Sequence, residues 1–185
     1  MTDPIRISIH WSPGVAAEVR ATLATATQTL STDPDWSPAL RALHFAWIGS
    51  VQVACGDATV FRPSPGSDRC DDVTVLLVLL ALRSSLERVL VEGTQVMLFG
   101  PDWDELTMSQ VGELFCAATE PSHTVCGTRA AWMDALDGAL DEVRNWIRAD
   151  VPELCLDPQF GPWLTGNGVP RLPNLTTRPA TDGHR

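Results

Sequence analysis

The run VTVLLVLLAL, residues 73–82, restricts the fold of this chain more than any other stretch. It is too short to cross a membrane as a helix, which takes about 20 apolar residues. A helix that is apolar all round is instead buried inside a protein. Asp71 and Asp72 precede the run, where acidic residues favour the start of a helix, and Gly93 follows its amphipathic second half. We therefore expect a central, buried helix over residues 73–92.

The patterns around this helix predict a mixed fold. Residues 5–11 alternate apolar and polar side chains, which is typical of a half-buried strand, and residues 15–30 repeat apolar side chains at helical spacing. Further strands are expected at 43–48, 51–61 and 94–99, and further helices at 105–119 and 129–148. The sequence thus predicts a single α+β domain over 1–175, with a small antiparallel or mixed sheet packed against about four helices. Residues 176–185 are expected to form a flexible tail.

The charge of the chain limits its partners. The 185 residues carry a net charge of −10, and all of the basic residues are arginines. Because such a surface repels phosphate backbones, we expect no nucleic-acid partner. It attracts basic proteins and speeds their encounter, although a charge of this size can also serve solubility alone.

No catalytic template fits the sequence. It has neither a Gly-x-Ser-x-Gly elbow nor a glycine-rich phosphate loop, and it lacks lysine and tyrosine. His123 and Cys126 could form a nucleophile pair, but no acid that would orient the histidine is evident. The five cysteines include no Cys-x-x-Cys pair and the four histidines are scattered, so we expect no metal and no cofactor. Free thiols are the expected state of the cysteines.

The tripeptide Pro-Asp-Trp occurs twice and provides the first candidate for a binding surface. One copy contains Asp35 and Trp36 in a proline-rich loop, and the other contains Asp102 and Trp103. A tryptophan beside a carboxylate can supply both an apolar anchor and a charge for a basic partner. The second copy continues with two more acids, so the candidate residues in these two stretches are Asp35, Trp36, Asp102, Trp103, Asp104 and Glu105.

A structural role competes with binding at the second copy. Asp102 stands where it could cap the helix expected over 105–119, and Glu105 follows three residues later as in a capping box. A loop tryptophan can likewise fold back over the core. Both interpretations remain open for Trp103 and its neighbours.

A second candidate surface lies on the last predicted helix, 129–148. Asp134, Asp137 and Asp141 are spaced so that they share one side of it. Since the chain has no lysine to pair with them, we expect a negative stripe. This stripe is either a solvated face or a binding surface for arginines and lysines of a partner.

Two stretches resemble a known family. ISIHWSPGVAAEVRATLATATQTLSTDPDW has a strand ending in an aromatic residue, then a helix and an Asp-Pro loop with a tryptophan; FGPWLTGNGVPRLP has a Gly-Trp-Leu-Thr-like segment followed by Val-Pro and Leu-Pro. In this order they resemble the α+β immunity proteins encoded beside bacterial polymorphic toxins, including type VI secretion effectors with nuclease domains. Pro162 separates Gly161 from Trp163, which this pattern would place together. The resemblance implies a non-catalytic inhibitor of a toxin.

The leading hypothesis is therefore an immunity protein that neutralises a basic toxin, for example a nuclease, through an acidic, tryptophan-bearing surface. A phage or secretion-system structural or adaptor protein is the alternative, and a small hydrolase with a carboxylate site is a further one. The N-terminal residues lack a basic segment followed by an apolar stretch, so a cytoplasmic location is expected.

Overall fold

The computed structural model describes residues 3–11, 13–28, 49–60, 75–99, 104–120, 123–156, 161–164 and 178–179. A first antiparallel sheet has the order β1-β2-β3, with β1 (Ile5–Trp11) paired along its whole length to β2 (Gly49–Cys55). A turn at Gly56 and Asp57 leads into β3 (Ala58–Val60). The predicted strand 5–11 is confirmed, and the strand predicted at 43–48 lies outside the described residues.

A second antiparallel sheet contains β4 (Gln95–Phe99), β5 (Asp104–Val111), β6 (Leu114–Glu120), β7 (His123–Thr128) and β8 (Arg178–Pro179). Its spatial order is β7-β6-β5-β4-β8. The predicted strand 94–99 corresponds to β4. The short strand β8 lies in the segment that was expected to be a flexible tail; a proline suits it because it pairs on one side only, at the edge of the sheet.

The helix predicted over residues 105–119 is wrong, because this segment forms the β5–β6 hairpin. Leu106 and Met108 are fully buried and alternate with half-exposed neighbours, which is the period of a strand. Gly112 then takes a φ of 61°, which glycine adopts readily, so that Val111 faces Leu114 across the turn. The apolar content of the segment suits a helix, but the glycine at the turn and the alternation of buried and half-exposed residues are those of two strands.

The described residues form four α-helices: α1 (Val15–Gln28), α2 (Val75–Glu92), α3 (Arg129–Asp150) and α4 (Gly161–Leu164). A short 3-10 helix, Pro152–Leu156, separates the last two. The central helix expected over 73–92 is confirmed as α2. It ends at Gly93, which has a φ of 78° and donates its backbone N–H to the carbonyl of Val89 at 3.1 Å.

Each of the two long helices contacts both sheets. α2 packs against α3 and against β4 and β5, while α3 packs against β1. β7 lies against all three strands of the first sheet. Gly127 in β7 permits this approach, because a Cβ atom there would come within 2.4 Å of the Ile5 side chain. Within the described residues, the result is a single α+β domain with two antiparallel sheets and four α-helices.

Among the described helices, none has both the length and the apolar character needed to cross a bilayer. This includes α2, whose apolar first half is buried inside the domain: Leu76, Leu79 and Leu82 are each no more than 1% exposed.

Candidate functional site

The helix α3 presents an acidic surface to solvent, and two contacts fix its first turn. Thr128 caps the helix, its side-chain oxygen accepting a hydrogen bond from the backbone N–H of Ala131 at 3.2 Å. One turn further on, the fully buried Trp132 donates its indole N–H to the carbonyl of Phe115 in β6 at 2.8 Å. These contacts set the rotation of α3 about its axis, and hence which side faces solvent.

The inner side of α3 is apolar and the outer side is acidic. Its buried residues are Trp132, Leu136, Ala139, Leu140, Val143 and Ile147. Asp134, Asp137 and Asp141 are exposed, as is Glu142. We call these four residues the acidic face. Asp134 and Asp141 are seven residues apart, so their backbones lie about 10 Å apart along the helix axis.

Two aspartates of the predicted negative stripe form ion pairs that were not predicted from the sequence. The Arg83 guanidinium in α2 pairs with Asp137, and Arg144 pairs with Asp141 at 2.7 Å. In each pair the arginine side chain is about one-fifth exposed, 21% and 22%, whereas the aspartate side chain is 60% and 61% exposed. The arginines therefore lie inward and the carboxylates outward, so the surface stays acidic despite the pairing.

Arg144 is held inward by a second contact. Its guanidinium lies 5.4 Å from the ring centroid of Trp163, which is 1% exposed in α4. The neighbouring Arg148 donates to the carbonyl of Leu164 in the same short helix. Trp163 thus folds back over the core rather than anchoring a partner, and α4 fixes the arginine that lies behind Asp141.

The end of α3 is held by a residue from α1. Arg20 donates to the carbonyl of Asp150 and forms an ion pair with Glu153 at 3.0 Å. The pKa of Glu153 is lowered from its ordinary value, first by a hydrogen bond from its own backbone N–H and then by one from Arg20. Both the beginning and the end of α3 are therefore set by contacts outside the helix.

The Pro-Asp-Trp loops fall mostly outside the described residues: this holds for Asp35, Trp36, Asp102 and Trp103. Asp104 and Glu105 begin β5, opposite Phe99 and Leu98 of β4. The helix that Asp102 and Glu105 were expected to cap does not exist, so the predicted capping box is wrong. Their role in binding stays a prediction.

The tryptophans of β1 and α3 pack on each other. Trp11 and Trp146 stack with ring centroids 4.4 Å apart and planes inclined by 15°, and both are half-buried against the core. This contact attaches one flank of α3 to the first sheet.

Cys116 and Cys126 form a disulfide, so the expectation that all cysteines are free thiols is wrong. They are directly opposite each other on β6 and β7. Because Cys126 is bonded, it has no thiolate with which to act as a nucleophile beside His123. The described Cys55 and Cys155 are free and half-buried. Within the described residues, no three His, Cys, Asp or Glu side chains form a group that could hold a metal ion.

The chain matches no protein-family model, no curated protein and no solved structure.

Proposed function

We propose that this protein is an immunity protein that neutralises a basic toxin by binding it through the acidic face of α3. The observation that supports this is the arrangement of the two ion pairs. Arg83 and Arg144 are largely covered, while Asp137 and Asp141 remain about 60% exposed. A carboxylate has about four acceptor positions, so each aspartate can accept hydrogen bonds from a partner while keeping its internal arginine.

The acidic face also contains two carboxylates that have no ion-pair partner among the described residues. Asp134 and Glu142 are exposed and form no ion pair with another described residue. Together with a net charge of −10, they favour a positively charged partner. A nuclease is one such partner, because it needs a positive site for phosphates.

Several finer features belong to the same proposal. Asp102, Trp103, Asp104, Glu105, Asp35 and Trp36 would form a second part of the interface. The action is non-catalytic and needs no cofactor. A cytoplasmic location is also proposed; the Cys116–Cys126 disulfide weighs against it, because such bonds are rare in reducing compartments. Cell fractionation, with alkylation of free thiols before lysis, distinguishes a cytoplasmic location from one in an oxidising compartment.

The test is rescue of cells that express the gene adjacent to the one encoding this chain. The double variant Asp134→Lys/Glu142→Lys changes the charge by four units without removing an internal ion pair. A matched control, Glu18→Lys/Asp57→Lys, makes the same charge change at exposed residues away from α3. We expect the first variant to lose rescue and binding, and the control to retain both.

Each other outcome is informative. Equal loss in both variants would mean that net charge matters and the acidic face does not. Full rescue by the Asp134→Lys/Glu142→Lys variant would remove α3 from the interface. An adjacent gene that is not toxic would argue against the immunity function itself.

A further inference from the structure

The strand β7 connects three parts of the domain. It is an edge strand of the second sheet, so it has a hydrogen-bonded neighbour, β6, on one side only. It lies against the first sheet, where Gly127 meets Ile5. Its last residue, Thr128, is also the cap of α3, which begins at the next residue. Displacement of β7 would therefore disturb both the contact between the sheets and the start of α3.

Every residue of β7 pairs with β6, but the ladder between the two strands is irregular at the beginning of β7. The register is regular from Leu114 opposite Thr128 to Ala118 opposite Thr124, and it then shifts between Ala118 and Glu120. Such an irregularity leaves a residue without a partner and disrupts the ladder locally. An edge strand with one short ladder is among the elements that open most easily.

The disulfide lies in the regular part of this ladder. Cys116 and Cys126 are directly opposite, with Cα atoms 4.1 Å apart, which is the close spacing of a non-hydrogen-bonded pair. Cys126 is followed at once by Gly127 and Thr128, the two residues that contact the first sheet and cap α3. The link thus acts on the part of β7 where those contacts converge.

We propose that the Cys116–Cys126 disulfide is a redox-sensitive clasp that holds β7, and through it the first turns of α3, in place. When oxidised, it fixes the strand to β6. When reduced, it leaves β7 with its single irregular ladder, and the strand and the capped turn open more often. The proposal concerns the order of α3 and does not depend on the identity of any partner.

The chemical step is thiol–disulfide exchange with a dithiol. A thiolate of the dithiol attacks Sγ of Cys126, which is half-buried, whereas Cys116 is only 7% exposed. The S–S bond breaks, Cys116 leaves as a thiolate and takes a proton, and a mixed disulfide remains on Cys126. The second thiolate of the dithiol then closes its own disulfide and releases Cys126. Two electrons pass from the dithiol to the protein.

Hydrogen exchange of the whole chain, oxidised or reduced with dithiothreitol, tests this clasp. We expect reduction to speed amide exchange about tenfold or more in residues 123–133, while exchange in α2 changes little. Unchanged exchange in residues 123–133 after complete reduction would overturn the proposal. An equal acceleration in α2 would also overturn it, because it would mean that reduction unfolds the whole domain.

Two variants separate this link from the other cysteines. Cys116→Ser/Cys126→Ser should exchange like the reduced protein whether or not dithiothreitol is present. Cys55→Ser/Cys155→Ser removes the described free thiols and should keep the full response. After refolding in oxidised glutathione, the peptide that contains both Cys116 and Cys126, which no Arg or Lys separates, should have a mass lower by two hydrogen atoms than after reduction. An unchanged mass would contradict the proposal independently of whether any variant folds.

Discussion

The two long helices differ in how much of their surface is buried. α2 is buried nearly all round in its first half, from Val75 to Leu82, and becomes exposed only near its end. α3 buries one apolar stripe and exposes the acidic face along the opposite side. The difference shows where selection for packing and for binding can act: changes in α2 alter stability, while changes on the outer side of α3 leave the core intact.

The helices also differ in how they end. In α2, Arg88 and Glu92 pair within the last turn, with Arg88 Nε 3.0 Å from the carboxylate, and Gly93 stops the helix. In α3, the last turn is bound by Arg20, which comes from α1. The contacts at the end of α2 thus come from its own sequence, whereas those at the end of α3 depend on the tertiary fold.

The largest expected effect tests whether α2 is central. Leu86→Ala removes a side chain that is 0% exposed and should lower the free energy of unfolding by about 2–5 kcal/mol, since it leaves a cavity. Leu90→Ala, one turn later on the same helix, changes a side chain that is 51% exposed and should cost no more than about 0.5 kcal/mol. Urea unfolding measures both. Equal costs would show that the Leu86 and Leu90 side chains are buried alike.

A smaller effect is expected at the start of α3. Thr128→Ala removes the oxygen that accepts from Ala131 and should cost about 1 kcal/mol in thermal or urea unfolding. Thr128→Ser keeps the hydroxyl and should retain most of that stability. If both variants lose the same amount, the methyl group rather than the cap stabilises this turn.

The smallest expected effects are changes in the pKa of Glu92 at the end of α2 and of Glu153 just after α3. The pKa of Glu92 is lowered chiefly by the hydrogen bond from Arg88, whereas that of Glu153 is lowered first by its own backbone N–H and then by Arg20. Arg88→Ala should therefore return the pKa of Glu92 almost to its ordinary value of 4.5, while Arg20→Ala should raise that of Glu153 only part of the way. NMR titration of the two carboxyl groups measures both shifts.

The direction of the accompanying pH dependence follows from these shifts. Because both carboxyl groups have a lower pKa in the folded protein, their contribution to stability is present above the ordinary pKa and is lost as the pH falls through the lowered values. In the Arg88→Ala and Arg20→Ala variants, less stability should therefore be lost as the pH falls. If the pKa of Glu153 returned to its ordinary value as fully as that of Glu92, Arg20 and not the backbone N–H would be the main cause of the lowered pKa of Glu153.

Much of the local structure could be predicted because its signals are short in range. Alternation of Ile5, Ile7 and Ile9 predicts β1, and the apolar run at 73–82 followed by Gly93 predicts α2. The spacing of apolar residues over 129–148 predicts α3 and places its aspartates on the exposed side. These elements follow from periodicity and from the residues that stop them.

The β5–β6–β7 region could not be predicted as easily. Its apolar content suits either a helix or strands. What distinguishes them is Gly112 at the turn between β5 and β6, and Pro121, which follows β6 in the sequence. Cys116 and Cys126 are each five residues from Pro121 in the sequence, a spacing that suits opposed residues in a hairpin. The signal was present, but it becomes readable only after the strands are recognised, because ten residues along a helix would separate the two thiols.

The sequence by itself determined the class of fold, the buried central helix and the acidic character of the surface, since these depend on composition and on neighbours within a few residues. Only the tertiary structure decided that Arg83 and Arg144 lie inward behind Asp137 and Asp141, that Arg20 binds the end of α3, and that Cys116 and Cys126 are bonded. Most of these contacts join residues brought together by the packing of helices and strands, a placement that no local pattern encodes. The acidic face owes its charge to the sequence and its exposed carboxylates to the fold.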